Sequence, residues 1–338
     1  MRLSGERSRI IPQGEYVDTT CYVKRYRVYA TRWLVLAVCC LLALSNAMLW
    51  MSFTTLTEEV NEFYCNGSDC SASFFTNQIF QLVAVITGIG GMYITDNYGI
   101  RLSIMCGTSL NFFGSLIRAA SSVPVVGDLI MRQVLLHTGS VIVASAQAFF
   151  LVLPSKVAEA WFPENQRSLA NVLTFIANPL GVVFGTVTPS LFFNGNAQSE
   201  RTSWHMFMAT TLTFLLSLFI RHGSPPTPPS VSSENHSSNV PPFWKSIIAC
   251  FRSRQFFRSC LFRSLYDCMP PLFSYPTSLA ALIGVVASLI CGVVADCTKK
   301  FKELIRVCWV CFAFTVIFTR FVIVCVVVGE VPHDKHRC

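Results

Sequence analysis

Long apolar runs separated by short polar connections dominate the chain. Each run holds about 20 mostly apolar residues, the length that an α-helix needs to cross the hydrocarbon core of a bilayer. The runs are continuous and do not alternate residue by residue, which favours helices over the strands of a barrel. They occur at residues 33–53, 74–95, 102–121, 130–154, 169–193, 204–221, 277–295 and 304–328. This pattern predicts an all-α polytopic membrane protein.

The composition agrees with this prediction. Of the 338 residues, 52% are hydrophobic and only 13% are charged, about half the charged fraction of an ordinary soluble domain. The net charge is +8, but the basic residues are distributed over alternate connections, so we expect the lipid bilayer as a partner and no nucleic acid. The chain lacks the motifs of hydrolases, phosphate-binding loops and zinc proteases. We therefore expect no enzyme activity, no cofactor and no metal site.

The charged connections also predict an orientation. Lys and Arg are concentrated before the first run, after the sixth run and after residue 295, and such connections stay on the cytoplasmic side. We expect residues 1–32 to form a cytoplasmic segment of a multi-pass protein in the plasma membrane, with no cleavable signal peptide. The connection after the first run is acidic and should lie outside; its charged residues are Glu58, Glu59, Glu62 and Asp69.

The same acidic connection carries a candidate modification site. Asn66 begins an Asn-Gly-Ser triplet, which is the acceptor signal for N-linked glycans. Cys65 and Cys70 flank this triplet, and outside the cell a disulfide between them and two free thiols are equally open alternatives. The sequence therefore predicts glycosylation at Asn66 and allows a local disulfide.

Two hydrophilic connections share a pattern. GGMYITDNYGIRLS at 90–103 follows the second run, and ICGVVADCTKKFK follows the seventh. A Gly permits a tight reversal, and an Asp can cap the next helix or pair with a cation. One such loop alone is equally well explained as a plain turn, but its recurrence indicates an internal duplication and a latch between helix pairs. The residues are Asp96, Gly99 and Arg101 in the first copy, and Gly292, Asp296, Lys299 and Lys300 in the second.

These connections resemble the signature loops of the Major Facilitator Superfamily, with Met92 where the superfamily usually has Gly. Further stretches resemble solute carrier family 49, the relatives of the feline leukaemia virus subgroup C receptor. The resemblance implies a secondary transporter that moves a small organic solute by alternating access, with choline, ethanolamine or haem as candidates. The stretches are SNAMLWMSF (45–53), SLNFFGSLIR (109–118), LPSKVAEAWFPENQRSLANVL (153–173), ANPLGVVFG (177–185) and PPTPPS (225–230).

The resemblance also implies an organisation in two bundles. Residues 33–221 should form a complete N-terminal six-helix bundle, and residues 222–257 a cytoplasmic central loop. Within that loop, 222–242 is rich in Pro and Ser and predicts a disordered linker, while 243–257 predicts an amphipathic helix that lies either in the membrane surface or under the bundle.

The second half, 258–338, departs from the pattern. Residues 256–276 carry Arg258, Arg263 and Asp267, and each charge at the centre of a span costs roughly 2.5–3.5 kcal/mol on insertion. We therefore expect an incomplete C-terminal bundle with spans only near 277–295 and 304–328. The alternative function is a truncated, non-transporting membrane protein that binds or regulates a full-length copy.

Polar side chains within the first-half runs are candidates for the solute pathway, because such groups would be costly against lipid. By resemblance, Trp50 leads, since its ring can bind a quaternary ammonium through cation–π attraction; an interfacial anchor is the alternative. Pro179 stands where choline-carrying relatives have Gln, and a lone His137 is more typical of a packing residue than of a haem ligand. The other candidates are Asn46, Gln78, Gln81, Asn111, Gln147 and Asn178.

Overall fold

The computed structural model describes residues 27–66, 71–123, 128–192, 198–230 and 242–253, with single positions at 233, 290 and 307. Over these ranges the regular secondary structure is helical, with a 3-10 turn at Glu164–Gln166. The helices are α1 (Thr31–Met51), α2 (Thr57–Cys65), α3 (Ala72–Tyr98), α4 (Ile100–Ser121), α5 (Leu129–Phe150), α6 (Leu153–Trp161), α7 (Arg167–Phe192), α8 (Gln198–Leu218) and α9 (Phe243–Arg252).

All six apolar runs predicted for the first half fall on long helices, which confirms the prediction of an all-α polytopic membrane protein. The helix α8 is also 21 residues long but begins with the charged pair Glu200 and Arg201. The predicted runs 277–295 and 304–328, and with them the second bundle, lie outside the described residues. Within the described residues, five stretches are long and apolar enough to cross a membrane: Thr31–Met51, Ala72–Tyr98, Ile100–Ser121, Leu129–Trp161 and Glu164–Pro189.

Two local features differ from the sequence prediction. The run 130–154 is interrupted, because α5 ends at Phe150 and a two-residue turn precedes α6. Pro154 occupies the first turn of α6, where its missing N–H costs no helical hydrogen bond. The acidic connection after the first run is also ordered in part, because it contains the nine-residue helix α2.

The helix α1 lies at the centre of the bundle and packs closely against α7. A Cβ atom on Gly181 would lie 2.3 Å from the carbonyl oxygen of Leu44, and one on Gly185 would lie 2.8 Å from that of Met48. Only glycine therefore fits at these two positions of α7. Lipid supplies no hydrophobic force between helices, so close backbone packing of this kind stabilises the pair.

Hydrogen bonds and ring contacts join α4 to α8. The hydroxyl of Thr108 donates to that of Ser217 at 3.0 Å, and the hydroxyls of Ser115 and Thr210 are 2.6 Å apart. All four side chains are buried. Interhelical bonds of this type contribute about 0.6 kcal/mol each in membrane bundles, and several of them along one seam fix the register of the two helices.

The up-and-down order of α1, α3, α4, α5, α7 and α8 gives the bundle two ends. One end holds the connection between α3 and α4 at Gly99, and we call it the Gly99 end. The other end holds the end of α1 together with α2, and we call it the α2 end. The helices α6 and α9 lie at the Gly99 end, where Lys156 contacts Asp96 and the ring of Phe243 lies 5.4 Å from that of Tyr93.

The helix α9 has an apolar face with exposed side chains. Trp244, Ile248 and Phe251 are exposed, and their spacing places them on one side of the helix. No residue of α9 is buried. Of the two alternatives for this segment, the exposed apolar face favours a helix in the membrane surface over one packed under the bundle.

Candidate functional site

The Gly99 end contains a one-residue reversal between two long helices. The helix α3 ends at Tyr98 and α4 begins at Ile100, with Gly99 alone between them at φ +86° and ψ 174°. This conformation is essentially restricted to glycine. A Cβ atom here would meet nothing within 4 Å, so the backbone conformation, and not the available space, requires glycine.

Asp96 lies in the last turn of α3 and pairs with a cation. Its carboxylate is 2.8 Å from the Nζ atom of Lys156 on α6. An acidic group near the C-terminal end of a helix is unfavourable because of the helix dipole, and Lys156 offsets this effect. The expectation that Asp96 caps the following helix is wrong, since α4 has Gly99 as its N-cap and no side-chain cap bond. The ion pair connects α3 with the α5–α6 segment.

Arg101 lies on the other side of Gly99 and is exposed. It borders a cavity of about 340 Å³ between the start of α4 and the chain that follows α8. That chain approaches closely, since a Cβ atom on Gly223 would lie 3.1 Å from the backbone nitrogen of Arg101. The residues around the cavity are Tyr98, Gly99, Ile100, Arg101, Gly223 and Ser224.

The chain after α8 is held against the bundle, which corrects the prediction of a disordered linker for residues 222–230. The indole Nε1 of Trp161 donates to the carbonyl oxygen of Gly223 at 3.1 Å. The hydroxyls of Tyr29 and Thr227 are 3.2 Å apart. Proline and serine content indicated a segment without its own core, but contacts with Trp161 of α6 and with Tyr29, just before α1, hold it in place.

Arg167, the first residue of α7, extends this contact. Its guanidinium donates to the hydroxyl of Ser233 at 2.6 Å and to that of Ser230 at 3.3 Å. The Ser233 hydroxyl in turn donates to the carbonyl oxygen of Glu159 at 3.0 Å. The segment 222–230 and Ser233 therefore link α6 and α7 at the Gly99 end.

Two predicted pathway residues contact each other inside the bundle. The amide of Asn46 on α1 donates to the side-chain oxygen of Asn111 on α4 at 3.1 Å and to the carbonyl oxygen of Val143 on α5 at 3.0 Å. Asn111 donates to the hydroxyl of Ser45 at 2.9 Å. All three side chains are buried. This network joins three helices, so it stabilises the bundle whether or not a solute binds.

Trp50 lies in the last turn of α1 and is partly exposed. Its indole Nε1 donates to the side-chain oxygen of Asn77 on α3. This bond engages the edge of the ring, and the ring also packs against an apolar cluster that includes Phe80. The exposed part of a tryptophan ring can bind a cation. Gln81, one turn further along α3, is exposed, and Gln78 is half-buried. Asn77 was not among the residues predicted from the sequence.

The remaining candidates lie on α5 and α7. The side-chain oxygen of Gln147 on α5 is buried and has no hydrogen-bond partner among the described residues. Asn171 on α7 has a similar buried oxygen, whereas Asn178 is half-buried next to Pro179, which lies inside α7. Unsatisfied buried polar atoms are rare in folded proteins. Gln147 therefore stays a candidate for solute contact, and Asn171 is added to the candidates.

The α2 end contains the predicted modification site. Asn66 is exposed and caps α2 in the left-handed conformation at φ 49°, which Asn tolerates better than most residues. Cys65 is disulfide-bonded, while Cys70 lies outside the described residues. Glycosylation of Asn66 and the pairing with Cys70 stay predictions. The second signature copy, with Gly292, Asp296, Lys299 and Lys300, also lies outside the described residues.

Sequence reasoning missed Arg118, which is only 2% exposed inside the bundle. It is the one residue of the stretch SLNFFGSLIR with a charge, and a charge within an apolar run is the signal that could have found it. Lys156 was also missed, although it belongs to the quoted stretch LPSKVAEAWF. Its partner Asp96 is 60 positions away, so spacing alone could not connect the two.

The long apolar helices and the buried polar side chains between them are those of a multi-pass α-helical membrane protein. A family model described as Major Facilitator Superfamily matches residues 35–329. The chain therefore belongs to the Major Facilitator Superfamily. The match includes residues beyond the described helices and extends past the second signature copy.

The resemblance to solute carrier family 49 is confirmed. The chain is 29% identical over 333 residues to solute carrier family 49 member A3 of Xenopus tropicalis, covering 92% of this chain and 68% of that protein. The member A3 of Danio rerio is 29% identical over an alignment of 318 residues, and the match covers 87% of this chain and 66% of the relative. The choline/ethanolamine transporter flvcr2a of Danio rerio is 26% identical over 316 residues, covering 83% and 64%. The chain thus spans about two thirds of the length of these relatives.

Proposed function

We propose that this protein is a secondary-active carrier of a small organic cation, of which choline and ethanolamine are the candidates, and that it works by alternating access. Trp50 carries the proposal, because it combines a partly exposed aromatic ring with a fixed edge at the end of a central helix. Relatives named choline/ethanolamine transporters support the same class of solute. Haem receives no comparable support from the described residues.

The recognition chemistry follows from the ring. A cation over a tryptophan face gains about 0.5–1 kcal/mol in an exposed site and about 2 kcal/mol or more when water is excluded. Asn77 holds the Nε1 edge, so the ring loses little conformational freedom when a cation binds. Choline-carrying relatives have a polar Gln at the position of Pro179, and proline does not supply such a group. In this chain, polar side chains without a partner among the described residues, such as Gln147, would orient the rest of the solute.

The Gly99 end supplies the second part of the proposal. Alternating access requires contacts that open and close on one side of the membrane. The pair of Asp96 and Lys156 is partly exposed, and such pairs are worth about 0–1 kcal/mol. A contact of this strength can break during each transport cycle, which supports a role as the latch.

The test is uptake and binding of labelled choline, ethanolamine and haem by the purified 338-residue protein in liposomes and nanodiscs. We expect saturable binding of the ammonium solutes, reduced several-fold in Trp50→Phe and about 30-fold in Trp50→Ala, the latter equivalent to 2 kcal/mol. The matched control is Trp204→Ala, because Trp204 is also a partly exposed ring on a long helix and should bind the solutes normally.

The outcomes separate the two functions. Uptake that depends on Trp50 establishes the carrier. Binding without uptake favours the alternative, a non-transporting membrane protein that regulates a full-length copy. Normal ammonium binding by a folded Trp50→Ala variant would contradict the proposed site.

A further inference from the structure

Arg118 is a buried cation without a carboxylate partner among the described residues. It lies in α4 near the α2 end and is 2% exposed. Its Nη1 atom donates to the carbonyl oxygen of Leu49 at 2.9 Å, and its Nε atom is buried without a partner. Charged side chains inside membrane helices are costly and are usually retained for a function. The environment of Arg118 shows what that function is.

The carbonyl of Leu49 belongs to the last turn of α1, which ends at Met51. The last four carbonyls of a helix lack partners within the helix and carry the negative end of its dipole. The hydroxyl of Ser52 donates to the same oxygen at 3.1 Å. Arg118 therefore completes the cap of α1 from a neighbouring helix, and the helix end supplies part of the countercharge that no acidic residue provides within the described ranges.

Aromatic rings enclose the rest of the guanidinium. Its Cζ atom lies 4.5 Å from the centre of the Phe53 ring and 5.9 Å from that of Phe80. Phe53 follows α1, and Phe80 belongs to α3. Cation–π contacts with both rings stabilise the buried charge. One side chain thus connects the end of α1 with α3 and α4.

Trp50 directly follows Leu49, so its backbone is fixed by the cap while its ring is fixed by Asn77. We propose that Arg118 is a positioning residue, which holds the last turn of α1 through the Leu49 carbonyl and thereby fixes the orientation of the Trp50 ring. The importance of this orientation for solute binding rests on the proposed function above. The geometry of the cap is independent of that function.

Two substitutions separate positioning from simple filling of space. Arg118→Lys keeps a charged donor on a chain long enough to reach the carbonyl, although it loses the planar contact with the rings. Arg118→Met keeps most of the apolar volume and loses the donor and the charge. A side chain that only fills space would be replaced equally well or better by Met. A positioning residue is replaced better by Lys.

The experiment is ¹⁹F NMR of the full chain labelled with 5-fluorotryptophan in nanodiscs. The sequence has six tryptophans, and Trp50→Phe and Trp204→Phe assign two of the signals. We expect Arg118→Met to split or broaden the Trp50 signal while the Trp204 signal is unchanged, and Arg118→Lys to retain a single Trp50 signal. In binding assays, Arg118→Met should raise the Kd for choline several-fold and Arg118→Lys should stay near the wild-type value.

An unchanged Trp50 signal in a folded, monodisperse Arg118→Met protein would overturn the proposal. If that variant does not fold, Arg118→Gln replaces it with the same expectations, because Gln is neutral and too short to reach the carbonyl in the same geometry. Failure of both neutral variants to fold, with a normal Lys variant, would assign Arg118 to assembly alone and also overturn it. The NMR signal does not depend on transport. The orientation of the Trp50 ring can therefore be tested even if the protein does not bind choline or ethanolamine.

Discussion

The two ends of the bundle are held together by different chemistry. At the α2 end the polar contacts are buried: the Tyr64 hydroxyl lies 2.9 Å from that of Ser121, and Arg118 is enclosed by aromatic rings. At the Gly99 end the main charged contact is the pair of Asp96 and Lys156, with side chains that are 28% and 35% exposed. The buried contacts exclude water, and the exposed pair competes with it.

This difference implies different responses to motion. A hydrogen bond in a low-dielectric interior is strong, and leaving its partners unsatisfied is expensive. An exposed ion pair exchanges readily with water and salt. We therefore expect the α2 end to keep its arrangement while the Gly99 end opens.

The largest effect is expected for Tyr64→Ala at the α2 end. Tyr64 is fully buried, and its ring packs against Phe53 and Phe63. Truncation of a buried aromatic residue lowers the free energy of unfolding by about 3–5 kcal/mol, measurable by steric-trap unfolding in bicelles. The control is Tyr98→Ala at the Gly99 end, where the ring is 64% exposed. A similar loss in both variants would remove the contrast between the ends.

A smaller effect is expected for Gly99→Ala. The glycine conformation at φ +86° costs another residue about 1–3 kcal/mol, and no neighbouring atom would collide with the added methyl group. The loss should appear as faster hydrogen exchange of the first turn of α4. Gly90→Ala is the matched control, because it is in the middle of α3 with equally open space and should stabilise the helix slightly. Destabilisation by both substitutions to the same degree would refute the role of the backbone angle.

Tyr64→Phe tests the hydroxyl alone and predicts a pH dependence. Burial raises the pKa of the Tyr64 hydroxyl above its ordinary value of 10.0, although Ser121 and the charges of Arg118 and Arg132 oppose the shift. The protonated form therefore stabilises the fold below about pH 10, and this contribution disappears as the pH rises through the higher value of the folded state. The wild-type protein should lose stability at alkaline pH more steeply than Tyr64→Phe, which itself loses about 1 kcal/mol at neutral pH. The measurement is the free energy of unfolding of both proteins between neutral and alkaline pH. An equal loss of stability with rising pH in both would count against this explanation.

The smallest effect on stability is expected for Asp96→Asn. Removing one partner of an exposed pair changes the free energy of unfolding by less than about 1 kcal/mol, and membrane insertion should be normal. Local opening should nevertheless increase, and this can be followed as faster hydrogen exchange of α6. The double exchange Asp96→Lys with Lys156→Asp should restore protection. In transport assays, uptake should fall more than surface expression, and an equal fall in both would favour a plain turn.

The sequence predicted the parts of the fold that depend on continuous stretches. The apolar runs found six long helices, and the glycine pattern found the reversal at Gly99. Contacts between distant residues were not accessible in this way, as for Asp96 with Lys156 and for Arg118 with the backbone of Leu49. A backbone carbonyl has no sequence signature, so its pairing with a buried arginine appears only once the helices are packed.

Composition alone also misled at the segment 222–230. Prolines and serines predict a chain that cannot build a core, and that inference is correct for the segment by itself. It does not account for partners elsewhere in the chain, such as the indole of Trp161 and the hydroxyl of Tyr29. The short helix α2 was missed for a different reason, because nine residues give too few turns for a recognisable periodic pattern.

The glycine seam between α1 and α7 has a consequence for biosynthesis. The contact of Leu44 with Gly181 joins residues that a ribosome makes on the order of 10 s apart, at about 5–20 residues per second. During that interval α1 is in the membrane without its main neighbour, whereas Asn46 gains Asn111 earlier because α4 is made before α7. Substitutions at Gly181 should consequently appear in cells as failed maturation and early degradation of the nascent protein, and only secondarily as altered activity of the protein that survives.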